Sequence, residues 1–85
     1  MTKFEINKNK HYQEHHILRL DQVGMFIKNI RLNDGLTQAE MAIACGLSRN
    51  TIQKVEYSGN MKLVTLFKII DAFDLTLEQF FTEME

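Results

Sequence analysis

Apolar residues recur three and four positions apart from residue 21 to the C-terminal end, and this spacing predicts α-helices. Asp21 can cap a first helix, and Gly35 can end it. The apolar stripe of this helix consists of Val23, Phe26, Ile27 and Ile30. One face of helix 1 is therefore predicted to be buried.

The stretch TQAEMAIACGLSRNTIQKVE, residues 37–56, predicts two short helices separated by a glycine. Thr37 and Glu40 have the T-x-x-E spacing of a capping box, which begins helix 2. Gly46 can adopt the positive φ that ends a helix, and Ser48 is a good N-cap for helix 3. The chain is therefore predicted to turn sharply between helix 2 and helix 3.

Helix 3, residues 48–57, has an apolar side and a polar side. Ile52 and Val55 are predicted to be buried. The side chains predicted to point outward are Arg49, Asn50, Gln53 and Lys54. All four can form hydrogen bonds from this face.

Two more helices follow the YSGN turn. The apolar residues of helix 4 are Leu63, Leu66, Ile69, Ile70 and Phe73. Thr76 and Gln79 make a second capping box for helix 5, which carries Leu77, Phe80 and Phe81. The pattern thus predicts a compact all-α domain of five helices over residues 21–85. Residues 1–20 lack helical periodicity and are predicted to form an N-terminal arm, extended where Phe4 and Ile6 alternate with polar residues.

Composition limits the function. The chain has 85 residues, 45% of them hydrophobic, which suits one small domain with a modest core and leaves little room for an enzyme cleft. No apolar run approaches the roughly 20 residues of a membrane span, and the first residues lack the apolar stretch of a signal peptide. We therefore expect a cytoplasmic protein. Its single cysteine, Cys45, is predicted to be a buried apolar group.

The net charge of −1 hides an uneven distribution. Residues 1–31 carry +3, residues 32–70 carry +1 and residues 71–85 carry −5. A strongly basic domain is the usual sign of nucleic-acid binding, and this chain is not one. The distribution nevertheless allows one end to face phosphates while the acidic end points away.

Residues 23–81 resemble the Cro/C1-type helix-turn-helix family, also called the XRE family, of bacterial and phage DNA-binding regulators. The residues that carry the resemblance most specifically are Gln38, Met41, Ala42, Cys45, Gly46, Leu47, Ile52, Val55 and Glu56. The resemblance implies a sequence-specific transcriptional regulator that inserts helix 3 in the major groove of double-stranded DNA. Glu56 is similar to the family's structural acid.

The outward side chains of helix 3 fit the edges of base pairs. Arg49 can bond to guanine O6 and N7, and Asn50 or Gln53 can pair with adenine N6 and N7. Lys54 can reach guanine or a phosphate. Periodicity alone also allows the four to be a solvated helix face. The resemblance favours base contact.

Other residues are predicted to contact phosphates. Helix 2 would present its N-terminus, at Thr37 and Gln38, to the DNA backbone. Gln38 is similar to the family's phosphate-contacting glutamine. The remaining predicted phosphate contacts are Ser48, Lys28 and Lys62. For Arg31 a structural pairing with a carboxylate or carbonyl is favoured, and a phosphate contact is the second interpretation.

A homodimer is predicted from the C-terminal end, because a core of this size has little room for all its apolar residues. The predicted dimer interface consists of Phe73, Leu77, Phe80, Phe81 and Met84. A two-fold dimer would place two copies of helix 3 about 34 Å apart on a palindromic operator. The arm is the second candidate for this contact.

Alternative functions have less support in the sequence. An antitoxin of a toxin–antitoxin pair would use the same DNA-binding fold and would also bind a protein toxin. An enzyme is not expected, because no nucleophile–base set or phosphate-binding glycine loop is present. His11, His15 and His16 could hold a metal only with further ligands, so a solvated polar arm is favoured. No cofactor is expected.

Overall fold

The computed structural model describes residues 14–85, which form five α-helices. The helices are α1 (Glu14–Asn33), α2 (Gln38–Cys45), α3 (Arg49–Ser58), α4 (Leu63–Ala72) and α5 (Leu77–Met84). Within the described residues there is no β-strand. The predicted all-α, five-helix architecture is confirmed.

The start of the first helix was predicted wrongly. Helix α1 begins at Glu14, so Asp21 lies inside the helix and cannot cap it. Ile17 and Leu18 are 44% and 56% exposed, so the rest of the protein covers little of this first part of α1. Extending a helix that has already formed is easy, and no proline or glycine interrupts residues 14–23. Residues 14–20 therefore belong to α1, while Phe4 and Ile6 lie outside the described residues.

Both predicted capping boxes are present. Thr37 Oγ1 accepts a hydrogen bond from the N–H of Glu40 (3.1 Å), and Glu40 Oε1 accepts one from the N–H of Thr37 (2.9 Å). The Thr76 and Gln79 pair makes the same two contacts at the start of α5, at 3.0 and 2.9 Å. Since an N-cap contributes about 1 kcal/mol, these residues determine where the two short helices begin.

The turn between α2 and α3 has the predicted geometry. Gly46 adopts φ 67°, the left-handed conformation that suits a residue without a side chain. The N–H of Leu47 then donates to the carbonyl of Ala42 (2.9 Å), and Leu47 packs against the core. Ser48 caps α3, because its Oγ accepts from the N–H of Thr51 (3.0 Å). The break thus separates two short helices that pack against each other.

The core lies where α1, α2, α3 and α4 meet, and α5 closes it from the C-terminal end. Its ten buried apolar residues are Ile27, Met41, Ala42, Cys45, Ile52, Val55, Leu66, Ile69, Ile70 and Phe80. Burial raises the pKa of the Cys45 thiol, in agreement with its predicted role as a buried apolar group. The core supports α3 from behind and leaves its opposite face open.

Phe80 corrects part of the predicted dimer interface. Its side chain is fully buried, with edge-on ring contacts at 5.1 Å to Phe26 on one side and to Phe81 on the other. Sequence periodicity places Phe80 and Phe81 equally well on the inner face, but only one of them fits beneath Phe26. Phe80 therefore belongs to the core and cannot contact a second copy.

The turn after α3 packs unusually closely on α1. Gly59 has φ 67°, and a Cβ built on it would lie 1.7 Å from the carbonyl oxygen of Leu20. Only a residue without a side chain permits this approach. The contact fixes the C-terminal end of α3 against α1.

None of the helices that the structure describes is long and apolar enough to span a membrane.

Candidate nucleic-acid interface

The outer face of α3 carries the four residues that the sequence predicts as base contacts. Ile52 and Val55 hold the helix from behind with 0% and 1% exposure. The side chains on the open face are those of Arg49, Asn50, Gln53 and Lys54, and all are exposed. They are free to meet an external partner, and the supporting helix is rigidly packed.

The N-terminus of α2 offers backbone donors. Thr37 Oγ1 already serves the N–H of Glu40, so the N–H groups of Gln38 and Ala39 are those without an intrahelical acceptor. Hydrogen bonds from the Thr37 backbone and hydroxyl hold the pKa of the Glu40 carboxyl below its ordinary value. The Thr37 hydroxyl oxygen thus caps α2, and a predicted contact of this hydroxyl with a phosphate would have to form while it still accepts from Glu40.

A buried ion pair joins α1 to α3. Arg31 Nε donates to Glu56 Oε2 at 2.6 Å, and Arg31 Nη2 donates to Glu56 Oε1 at 3.0 Å. A third guanidinium nitrogen, Nη1, donates to the carbonyl of Leu36 at 2.8 Å. Arg31 and Glu56 are each 8% exposed, so the pair is nearly out of water. The structural interpretation of Arg31, favoured from the sequence, is confirmed.

The same carboxylate orients Gln38. Gln38 Nε2 donates to Glu56 Oε1 at 3.2 Å, and because a carboxylate only accepts, the amide nitrogen must face Glu56. This contact uses one of the two amide hydrogens and leaves the other for a partner outside the protein. Glu56 therefore connects the buried ion pair to a predicted phosphate-contacting side chain.

Ser48 is also engaged in a cap. Its Oγ accepts from the N–H of Thr51 and lies 2.8 Å from Thr51 Oγ1. If Ser48 donates its proton to a phosphate, Thr51 must donate to Ser48. The structure therefore adds Thr51 as a residue that can orient the Ser48 hydroxyl.

A groove between α3 and the start of α4 brings Lys54 and Lys62 together. The groove, of about 300 Å³, is also lined by Thr51 and Asn60, which the sequence analysis did not single out. Thr51 could have been found from its position three residues before Lys54, on the adjoining side of the helix. Lys62 is the N-cap of α4 and makes no side-chain cap. Two ammonium groups thus border one groove beside α3.

Not every predicted site residue joins this region. Lys28 is exposed on α1, next to the buried Ile27, and it neither lines the groove nor shares the α3 face. His15 and His16 lie in the first turn of α1 with ring centroids 4.0 Å apart, while His11 lies outside the described residues. Within residues 14–85 no three histidine, cysteine or carboxylate side chains are arranged to hold a metal ion.

A helix-turn-helix family model matches residues 27–80, which include all of α2, α3 and α4. Comparison of the sequence with curated proteins finds no match.

Several solved structures have the same fold. The wild-type restriction-modification controller protein C.Esp1396I superimposes with a TM-score of 0.73 at 29% identity, over 79% of this chain and 88% of that chain. C.Esp1396I bound to a 25-base-pair operator site matches with a TM-score of 0.69 at 30% identity, over 76% and 87%. The controller protein C.AhdI from Aeromonas hydrophila matches with a TM-score of 0.67 at 29% identity, over 74% and 97%. These matches give no support to the antitoxin alternative.

Proposed function

Since this chain belongs to the Cro/C1-type helix-turn-helix family, we propose that it is a sequence-specific transcriptional regulator that binds operator DNA. The observation that carries the proposal is the exposed face of α3. Four hydrogen-bonding side chains lie on this face, and the opposite face of the helix packs against the core. The operator-bound structure of C.Esp1396I supports the same partner for this chain. The protein acts by binding, not by catalysis.

Direct readout is assigned to α3. The major groove admits one α-helix and shows a distinct pattern of donors and acceptors for each base pair. Arg49 pairs with guanine, and Asn50 and Gln53 present amide groups that match adenine. Lys54 borders both this face and the groove next to Lys62, so it reaches either guanine or a phosphate.

Phosphate contacts position α3 in the groove. The free N–H groups at the start of α2 form a ready anion site. Gln38 keeps a second amide hydrogen, not used by Glu56, for the same phosphate. Thr37, Ser48 and Lys62 contribute from the flanking helix starts, and Lys28 from α1 at longer range. Because Glu56 orients Gln38, the phosphate contact and the position of α3 depend on one buried carboxylate.

Selection of duplexes from a random pool by the purified protein tests the function. We expect enrichment of a palindromic motif, because two-fold related subunits read two-fold related half-sites. Failure to enrich any motif would contradict the proposal.

On the selected duplex, Arg49→Ala or Gln53→Ala should weaken the binding free energy by about 1–3 kcal/mol, and binding to a scrambled duplex should change little.

The matched control for these variants is Lys62→Ala. A lysine that contacts a phosphate should weaken binding to the selected and scrambled duplexes by a similar factor. If Arg49→Ala and Gln53→Ala behaved like Lys62→Ala, the α3 side chains would not carry the specificity.

A homodimer is the second part of the proposal. Exposed apolar side chains on α4 and α5 form a surface, here called the apolar patch, that consists of Leu63, Phe67, Leu77 and Phe81. Leu63 and Phe67 are four residues apart on α4, and Leu77 and Phe81 are four residues apart on α5, so each two are neighbours on their helix. Leu63 and Phe81 also line one cavity of about 220 Å³. Contiguous exposed apolar surface of this kind marks a protein interface.

The apolar patch replaces Phe80 in the predicted interface and retains Leu77 and Phe81. Phe73 and Met84, the other two predicted residues, are half-buried and pack on the core, so they can contribute only their outer edges. The five acidic residues of 71–85 keep this end away from phosphates. A dimer formed there leaves the α3 faces of both copies available to DNA.

Phe81→Glu and Leu77→Glu should each convert the dimer to a monomer, because a carboxylate would have to be buried without a partner. Both side chains are partly exposed (39% and 44%), so the monomer should still fold. Sedimentation equilibrium at tens of micromolar measures the change. Ile43→Glu on α2, where the side chain is 83% exposed outside the apolar patch, is the control and should remain dimeric. A wild-type monomer would contradict the dimer, and dimeric Phe81→Glu would move the interface elsewhere.

A further inference from the structure

Tyr57 is an exposed aromatic residue on the DNA-facing side of α3 that the base and phosphate assignments do not use. Its side chain is 85% exposed although it lies between Glu56, which is buried, and Ser58, which is half-buried. It follows Asn50 by seven residues and Gln53 by four, so it stands on the same strip of the helix as those two side chains. An exposed tyrosine on the same face as two predicted base contacts is therefore a candidate for a DNA contact.

The end of α3 has few other groups that could bind an anion. The last turn contains no basic residue. The Ser58 hydroxyl is already used, because it donates to the carbonyl of Lys54 (3.0 Å) and accepts from the N–H of Asn60 (3.1 Å). The Tyr57 hydroxyl makes no such contact with other described residues. It is the side-chain donor still available in that turn.

We infer that the Tyr57 hydroxyl donates a hydrogen bond to a DNA phosphate at the wall of the major groove, about one helical turn beyond Gln53 and two beyond Asn50. The inference rests on the proposed function and adds a positioning contact at the C-terminal end of α3. The phenol contributes affinity on any DNA sequence, since a phosphate contact carries no base information.

The dimensions of the helix favour a phosphate over a base. Recognition helices of this type insert their N-terminal residues toward the base edges. Tyr57 lies about 10.5 Å along the helix axis from Asn50, at 1.5 Å per residue, while the groove is about 12 Å wide. The end of α3 therefore reaches the sugar–phosphate wall, where a phenolic O–H is a suitable neutral donor.

Tyr57→Phe removes this hydroxyl and keeps the ring. We expect about tenfold weaker binding to both the selected and the scrambled duplex, as for a lost hydrogen bond to a charged group. The slope of log K against log salt should not change, because a neutral phenol displaces no counterion. Lys62→Met provides the contrast, since loss of a cation that neutralises one phosphate should reduce that slope by about 0.9.

Thr82→Val is the matched control, since it removes one exposed hydroxyl from α5 and should leave both affinities unchanged. The Tyr57 contact is contradicted if Tyr57→Phe binds like wild type while the wild type still discriminates between the two duplexes. A loss confined to the selected duplex would also overturn it, because Tyr57 would then read a base. So would a reduced salt slope, which would mean that charged contacts were lost. A wild type that binds no duplex would overturn the proposed function together with this contact.

Discussion

Gly59→Ala should destabilise the protein by about 3–5 kcal/mol, among the largest effects expected of any single substitution in this chain. The new Cβ would lie 1.7 Å from the carbonyl oxygen of Leu20 and 2.5 Å from its carbonyl carbon. Both are backbone atoms within α1, so a side-chain rotation cannot relieve the overlap. Relief requires α1 to move away from the end of α3, which would disrupt the contacts between these two helices. Urea unfolding followed by far-ultraviolet circular dichroism measures the loss.

Gly35→Ala provides the matched control. Gly35 has nearly the same left-handed conformation (φ 69°), but a Cβ there would meet no atom within 4 Å. Alanine at this position should lower the free energy of unfolding only by the cost of the left-handed backbone conformation, about 1–2 kcal/mol. The difference between the two variants isolates the packing of Gly59 against α1. Equal unfolding midpoints for the two variants would show that the close approach contributes nothing to stability.

Glu56→Ala should cost about 3–5 kcal/mol, because it leaves the Arg31 guanidinium charged and nearly buried without its carboxylate. The substitution also removes the acceptor of Gln38 Nε2. For a domain of 85 residues, whose whole stability is about 4–13 kcal/mol, a loss of this size can unfold much of the population. Denaturant unfolding of the variant beside wild type measures it.

Two further variants separate the charge from the shape of this side chain. The double variant Arg31→Met/Glu56→Met should be more stable than Glu56→Ala, since no unpaired charge then remains in the interior. Glu83→Ala removes an exposed carboxylate from α5 and should change stability by no more than about 0.5 kcal/mol. If Glu56→Ala matched Glu83→Ala, the ion pair would not contribute to holding α1 against α3.

Glu56 also links stability to DNA binding in the proposed function. It pairs with Arg31 of α1, and it turns the amide nitrogen of Gln38 toward itself at the start of α2. In that proposal, a single carboxylate on α3 positions the helix assigned to base readout relative to the helix end assigned to the DNA backbone. The geometry explains why a buried acid is useful beneath a face that otherwise offers donors and cations.

The sequence predicted those parts of the candidate nucleic-acid interface that helix periodicity determines. Periodicity put Arg49 and Gln53 on the open face of α3, and the structure leaves both exposed. Their base contacts remain predictions, since exposure alone does not identify a partner. Tyr57 occupies the same strip, but an aromatic residue at the end of a short helix gives the same pattern whether it is buried or solvated. Only the packing of α3 shows that it is exposed.

Short-range chemistry determined the parts of the fold that the sequence alone predicted. The capping boxes at Thr37 and Thr76 and the left-handed turn at Gly46 depend on residues within four positions of one another. Distant partners decided the rest. Leu20 and Gly59 are 39 positions apart, and their contact accompanies a helix α1 that begins seven residues before its predicted start. The burial of Phe80 depends on Phe26, and the role of Glu56 depends on Arg31. Such contacts form only when the helices have packed, so no local pattern could have specified them.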